Sequence, residues 1–143
     1  MTKIKFKEIT ENPSIEEIKF LYILLKKQKF NISNLGETSY ADHEKFVRNH
    51  PYHKWMIIMH HTKLIGSLYI NQDNSVNLRL LKESQKTGLK IINQFYATFI
   101  PQPEIKSLRY KEFFFNINPN NIFMRELLES SGHKLSQISF SKL

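Results

Sequence analysis

The chain has no cysteine in its 143 residues. That absence excludes a disulfide framework, a thiolate zinc site and a cysteine nucleophile together, and leaves the redox state of the compartment open. Glycine (4) and proline (5) are scarce, so collagen-like and linker-like character is excluded as well. No apolar run approaches the ~20 residues that span a bilayer. The start, MTKIKFKEIT, alternates charged and apolar residues where a signal peptide needs a continuous apolar stretch. The expectation is a cytoplasmic protein with no membrane partner. The terminal Ser141-Lys142-Leu143 matches a peroxisomal address, a three-residue pattern that arises easily by chance.

Acidic residues are also in short supply, with 13 Asp+Glu against 21 Lys+Arg and a formal net charge of +8. Such a balance favours an anionic partner such as a phosphorylated cofactor. An AT-rich genome yields the same excess through codon bias toward Lys. The positive charge is spread along the chain without a block of like charges or a nucleic-acid reader motif, so nucleic acid is not expected as a partner.

What remains is the profile of a globular protein, 41% hydrophobic and 13% aromatic. One domain over residues 1–143 is expected, burying roughly 68–70% of its unfolded surface. Alternation over 3–9 predicts a strand. Ser14 with Glu17 three residues on has the spacing of a capping box and opens a helix through Lys27. Residues 30–37 read as a loop, and a second helix runs from Ser39 to before Pro51 with His43, Phe46 and Val47 inward. Strands follow over 55–59, 64–70 and 76–81, joined by polar turns. Helical periodicity resumes over 86–99. Phe113 to Ile117 reads as a buried strand, 121–131 as a helix closed by Gly132, and 135–140 as a last strand. The order β-α-α-β-β-β-α-β-α-β predicts an α/β fold whose sheet is antiparallel early and parallel late, with about four flanking helices.

Two segments carry the chemistry. Gln85-Lys86-Thr87-Gly88-Leu89-Lys90 opens a helix directly after a strand. The free N–H groups there, the helix dipole, Lys86 and Lys90 make a candidate pyrophosphate cradle, with Gly88 allowing close approach. A glycine near a helix start is also often structural. The second segment, Asn116-Ile117-Asn118-Pro119-Asn120-Asn121, gathers amide side chains at a strand-to-helix junction. At least one should cap the helix, and the others can meet a polar ligand.

Together, in this order and about thirty residues apart, these segments resemble the GNAT family of N-acetyltransferases, and the resemblance covers nearly the whole chain. The family's Gln/Arg-x-x-Gly-x-Gly/Ala motif falls on Gln85 to Lys90, and its later Asn-to-Gly segment falls on Asn121 to Gly132. The stretch Ser39, His43, Phe46-Val47, Pro51-Tyr52, Trp55, Ile57-Ile58 and Ile65-Gly66-Ser67 further resembles a bacterial subgroup associated with surface-glycan amino sugars. Departures are Lys90 for Gly or Ala, Met124 for a small residue, Leu128 where many members carry a tyrosine acid, and His133 for Phe.

The resemblance implies that acetyl-CoA is the acetyl donor and that a small-molecule amine attacks it directly in a ternary complex, with no metal. It places the cofactor arm against Leu80 and Leu81, its pyrophosphate against Gln85, Lys86, Thr87, Gly88, Leu89 and Lys90, and further contacts on Asn121 and Arg125. Glu83, Tyr69 and His43 are candidates for moving the proton. Asn31, Ser33, Arg79 and Asn116 are candidates for holding the acceptor, Arg79 through an acidic or phosphorylated group. A protein N-acetyltransferase and a degenerate CoA-binding or interaction module are the alternatives, as monomer or homodimer. His60-His61 does not suggest a metal site, because adjacent strand residues point to opposite faces.

Overall fold

The computed structural model describes residues 3–28 and 38–142. The chain runs β1 (Ile4–Glu8), α1 (Ile15–Lys27), α2 (Tyr40–Arg48), β2 (Lys54–His60), β3 (Lys63–Ile70), β4 (Ser75–Leu80), α3 (Gln85–Thr98), β5 (Phe114–Phe115) and α4 (Ile122–Ser130). The strands lie in sequence order in one sheet. The first four are antiparallel neighbours, and β5 joins β4 in parallel. The α/β architecture and its antiparallel-then-parallel sheet are those the sequence predicts.

Local chemistry sets the helix ends. Ser14 Oγ accepts from the Glu17 N–H (3.1 Å) while Glu17 Oε1 accepts from the Ser14 N–H (2.8 Å), a complete capping box. Ser39, Ser84 and Asn121 cap α2, α3 and α4 through side-chain oxygens. At the end of α4, the Gly132 N–H donates to Glu129 O and the His133 N–H to Leu128 O. This Schellman closure needs a left-handed residue, and Gly132 has φ 93°.

Both faces of the sheet are covered, so there are two cores. On one side β1 to β4 pack against α3 and α4 through Leu68, Leu78, Ile91, Phe95 and Leu127. On the other, α1 and α2 cover Trp55 and Ile57 with Ile18, Leu21 and Val47. Along β4 the alternation divides cleanly: Val76, Leu78 and Leu80 face the first core, and Asn77, Arg79 and Leu81 face the second.

Three expectations need correction. Residues 135–140 form no strand: Leu135, Ile138 and Phe140 are 77%, 66% and 94% exposed. Their apolar spacing lacks strict alternation, and among the described residues the sheet ends at β5. The strand expected over 113–117 shrinks to two residues, because its pairing with β4 stops there. Phe46 is 43% exposed and does not enter the core, although its ring lies against Tyr52 and Trp55.

Candidate active site

The site grows from the hydrogen-bonding pattern of β4. Toward β3, Asn77 pairs with Tyr69 and Arg79 with Ser67, and the Leu81 N–H donates to Ile65 O at 2.8 Å. Amides in an antiparallel ladder alternate sides, so the N–H groups of Leu78 and Leu80 point toward β5. Pairing with β5 reaches only Val76↔Phe115. Beyond it the strands part, and those two amides face the gap.

A cavity of about 420 Å³ occupies that gap. Its walls are residues 76–80 of β4 with Leu81 just beyond it, and residues 115–118 leaving β5. Asn121, Phe123 and Met124 at the start of α4 close one side. Leu24, Lys27 and Gln28 at the end of α1 close another, and Glu83 stands at its rim. The lining joins the two faces of the sheet, which is possible only where the sheet is split.

The N-terminus of α3 lies at the end of β4. Ser84 Oγ accepts from the Thr87 N–H (3.3 Å), and the Gly88 N–H donates to Ser84 O (2.9 Å). The first-turn amides of Gln85 and Lys86 lie outside the helix's own bonds and carry its positive end. Lys86 and Lys90 are exposed one turn apart on α3. This arrangement suits a phosphate group, and the gap beside Leu78 and Leu80 suits an extended chain that pairs with free strand amides.

Several sequence-predicted residues have other duties. The Leu81 amide is committed to Ile65, so of the two strand amides only that of Leu80 faces the gap. Gly88 is not open to a ligand: a Cβ there would lie 2.6 Å from Leu127 Cδ2, so the glycine exists to let α3 meet α4. Leu89 packs half-buried against the first core. The Gln85 side chain donates to Phe123 O (3.0 Å) and braces α3 against α4. Asn121 lines the cavity, but its Oδ1 accepts from the Met124 N–H (3.2 Å). Arg125 is exposed, reaches Pro119 O and lies outside the lining.

Of the three proton-transfer candidates, only Glu83 lines the cavity. Tyr69 lies outside it, its ring stacked on Tyr52 at 3.9 Å. His43 is buried behind α1, its Nε2–H donating to Ile18 O at 3.0 Å. Burial pushes the His43 pKa below its usual value, the Ile18 bond works against this, and the Arg79 charge adds to it. Leu128, at the position of the missing tyrosine, is buried in the first core. Among the acceptor candidates Arg79 and Asn116 line the cavity, while Asn31 and Ser33 lie outside the described residues. Asn118, from the amide cluster expected to meet a ligand, lines it too, and Lys27, Gln28 and Asn77 line it without having been singled out for that role. For the α1 pair no local signal exists, since their place depends on how α1 crosses the sheet.

His61 sits in the β2–β3 turn with φ 60°, so the His60 and His61 rings lie side by side, 4.9 Å apart, and not on opposite faces. Among the described residues no group of three or more His, Asp or Glu can hold a metal, and no helix is long and apolar enough to cross a membrane.

The sequence matches no protein-family model and no curated protein. Its backbone does match solved structures. An integron cassette protein from the mobile metagenome of V. cholerae superposes with a TM-score of 0.63 at 11% identity, covering 98% of this chain and 91% of that one. An aminoglycoside N-acetyltransferase, AAC(6')-Iy in complex with CoA, gives 0.61 at 11% identity, covering 100% and 96%. The fold is that of the GNAT N-acetyltransferases. An aminoglycoside acetyltransferase from an uncultured soil metagenomic sample, in complex with sisomicin, gives 0.55 at 12% identity over 98% and 95%. These superpositions cover nearly the whole chain and so take in all the elements above.

Proposed function

We propose that this chain is an acetyl-CoA-dependent N-acetyltransferase that acetylates a primary amine of a small molecule within a ternary complex. The observation that carries the reading is the split sheet: β4 parts from β5 and turns the Leu78 and Leu80 amides into a 420 Å³ cavity whose rim residue Glu83 lies just before the α3 cap Ser84. Acetyl-CoA, when bound, supplies an acetyl group activated as a thioester. The amides of Gln85 and Lys86, with the Lys86 and Lys90 side chains, are the groups available for its pyrophosphate. The Leu80 N–H is the donor in the gap for an oxygen that gains negative charge as the amine attacks. The amine nitrogen forms its bond to the acetyl carbon, the carbon–sulfur bond breaks, and the amine proton passes to Glu83 or through it to water. Holding both reactants side by side supplies most of the acceleration, up to ~7–11 kcal/mol in well-oriented systems.

An amino-sugar acceptor, free or nucleotide-linked, belongs to the same proposal. Its support is the subgroup resemblance, the aminoglycoside enzymes among the structural neighbours, and Asn77, Asn116 and Asn118 at the cavity, whose amides match sugar hydroxyls. One observation favours a second reading, a CoA-binding module without turnover: among the described residues no tyrosine or histidine lines the cavity to protonate a departing thiolate. Calorimetric titration with acetyl-CoA, followed by amine-dependent thiol release over a panel of amino sugars, tests both. Binding with release supports the enzyme, binding without release across the panel supports the module, and no binding sinks both.

A further inference from the structure

Arg79 is a partly buried charge in the cavity wall. It projects from β4 onto the α1–α2 side, and its Nε is buried with no hydrogen-bond partner. Among the described residues no carboxylate forms an ion pair with it. The Tyr69 ring lies beside it, its centre 6.0 Å from Cζ. Burial lowers the pKa of the nearby His43, and the Arg79 charge adds to that shift, so His43 is no counter-ion for the guanidinium. Two residues away on the same face of β4, Asn77 Oδ1 is also buried without a donor. Buried polar atoms ordinarily find partners, and a guanidinium with a free Nε presents the fork that a carboxylate or phosphate fills. The described charges of the lining are Lys27 and Arg79 against Glu83, an excess of one positive charge.

We infer that the acceptor carries an anionic group, a carboxylate or a phosphate, bound by the Arg79 guanidinium, while Asn77 Oδ1 accepts an N–H or O–H of the same molecule. The inference rests on the acetyltransferase reading and separates this chain from its aminoglycoside-acetylating neighbours. A polycationic acceptor would have to place its charges against a lining of net positive sign. Charge selection at this wall falls to Arg79, a specificity-determining residue distinct from the groups that hold the cofactor.

The test uses matched acceptor pairs: an α-amino acid against its amide, and an amino-sugar phosphate against the neutral amino sugar, with sisomicin as the polycation. Each is titrated into the full chain, alone and with CoA, and each is assayed for acetyl-CoA-dependent thiol release. The expected result is preference for the anionic member of one pair, which also tells carboxylate from phosphate. In Arg79→Met and Arg79→Gln that preference falls by about 100-fold, the scale for losing one partner of a buried charge pair, while acetyl-CoA affinity stays within a few-fold. Arg79→Lys, which keeps the charge but not the fork, retains part of it. Sisomicin preferred over both anionic amines, or neither anionic amine preferred over its neutral partner, overturns the inference. Failure to bind acetyl-CoA sinks the acetyltransferase reading instead, and the binding titrations without CoA still decide whether Arg79 selects anions.

Discussion

Gly88 carries two competing explanations, and one substitution separates them. If the glycine serves a ligand's approach, Gly88→Ala should spare stability and weaken acetyl-CoA binding. The structure argues for the other role. A Cβ at position 88 would lie 2.6, 2.9 and 3.3 Å from Cδ2, Cδ1 and Cγ of Leu127, where carbon atoms ordinarily approach no closer than ~3.5 Å. Leu127 has no exposed surface, so its branched end cannot swing into solvent. Either the leucine leaves its rotamer or α3 and α4 move apart.

Overpacking of this kind costs about 1–3 kcal/mol, and replacing a mid-helix glycine by alanine returns about 1 kcal/mol of helix propensity. The net expectation for Gly88→Ala is a loss of about 0–2 kcal/mol, where an uncrowded helical glycine would give a gain. The double-mutant cycle sharpens this. Leu127→Ala alone should cost about 2–5 kcal/mol. In its background the clash is gone, and adding Gly88→Ala should stabilise by about 1 kcal/mol. Urea unfolding followed through Trp55, the only tryptophan and a buried one, reads both. A stabilising Gly88→Ala in the parent chain, or the same effect in both backgrounds, refutes the packing role. Unchanged stability with lost acetyl-CoA binding restores the ligand-approach role.

Asn74 is fully buried at φ 73°, its Nδ2 donating to Gln102 O and Tyr110 O and its Oδ1 accepting from the Gln102 N–H. Asn74→Gly, which keeps the backbone but drops three bonds, should cost about 1.5–4.5 kcal/mol in urea, and Asn74→Ala about 1 kcal/mol more from the left-handed strain; equal costs would rule out the strain. Leu80→Pro removes an N–H that no strand uses, so the sheet should survive, as circular dichroism will show, while turnover falls by about 100-fold; a variant at parent kcat would remove that amide from the mechanism. Stability should fall on acidification. Burial is the largest cause lowering the pKa of His43, His50, His53 and His133, so below the unfolded value of 6.5 the unfolded chain takes up protons the folded chain resists. Their contribution is complete above that value and is lost progressively as pH drops through it. Urea midpoints at pH 7.5 and 5.5 check the sign, and a higher midpoint at 5.5 contradicts it.

Helix ends were legible because capping is local chemistry: Ser14, Ser39, Asn121 and Gly132 each act within four residues of themselves, while the Ser84 cap of α3 went unread. The meander was legible because its strands are short, mostly apolar runs separated by polar turns. What escaped is what depends on a distant partner. The periodicity of 135–140 says nothing about whether a strand edge awaits it. Gly88 sits in a motif-like setting, but its reason is Leu127 on another helix. Two of the four clustered asparagines turned out to serve backbone donors, Asn121 at Met124 and Asn118 at Asn120, which no count of amides could apportion.

The shortened β5 shows why the site itself was the hardest part to read. A strand with the composition of Phe113 to Ile117 should pair along its length, and it stops after two residues. The unpaired stretch opposite Leu78 and Leu80 is the cavity, so the failure of the local rule and the origin of the site are one feature. The same holds for Arg79 and Asn77, whose identity the sequence shows but whose lack of partners only the packing reveals. What folding leaves unsatisfied around the cavity is two strand amides, the first turn of a helix, one guanidinium and one amide oxygen. A ligand that completes this set must bring an acceptor for the amides, an anion for the arginine and a donor for Asn77. On the function proposed above, an acetyl thioester with its pyrophosphate would supply the first, and an amine that carries its own negative group would supply the other two.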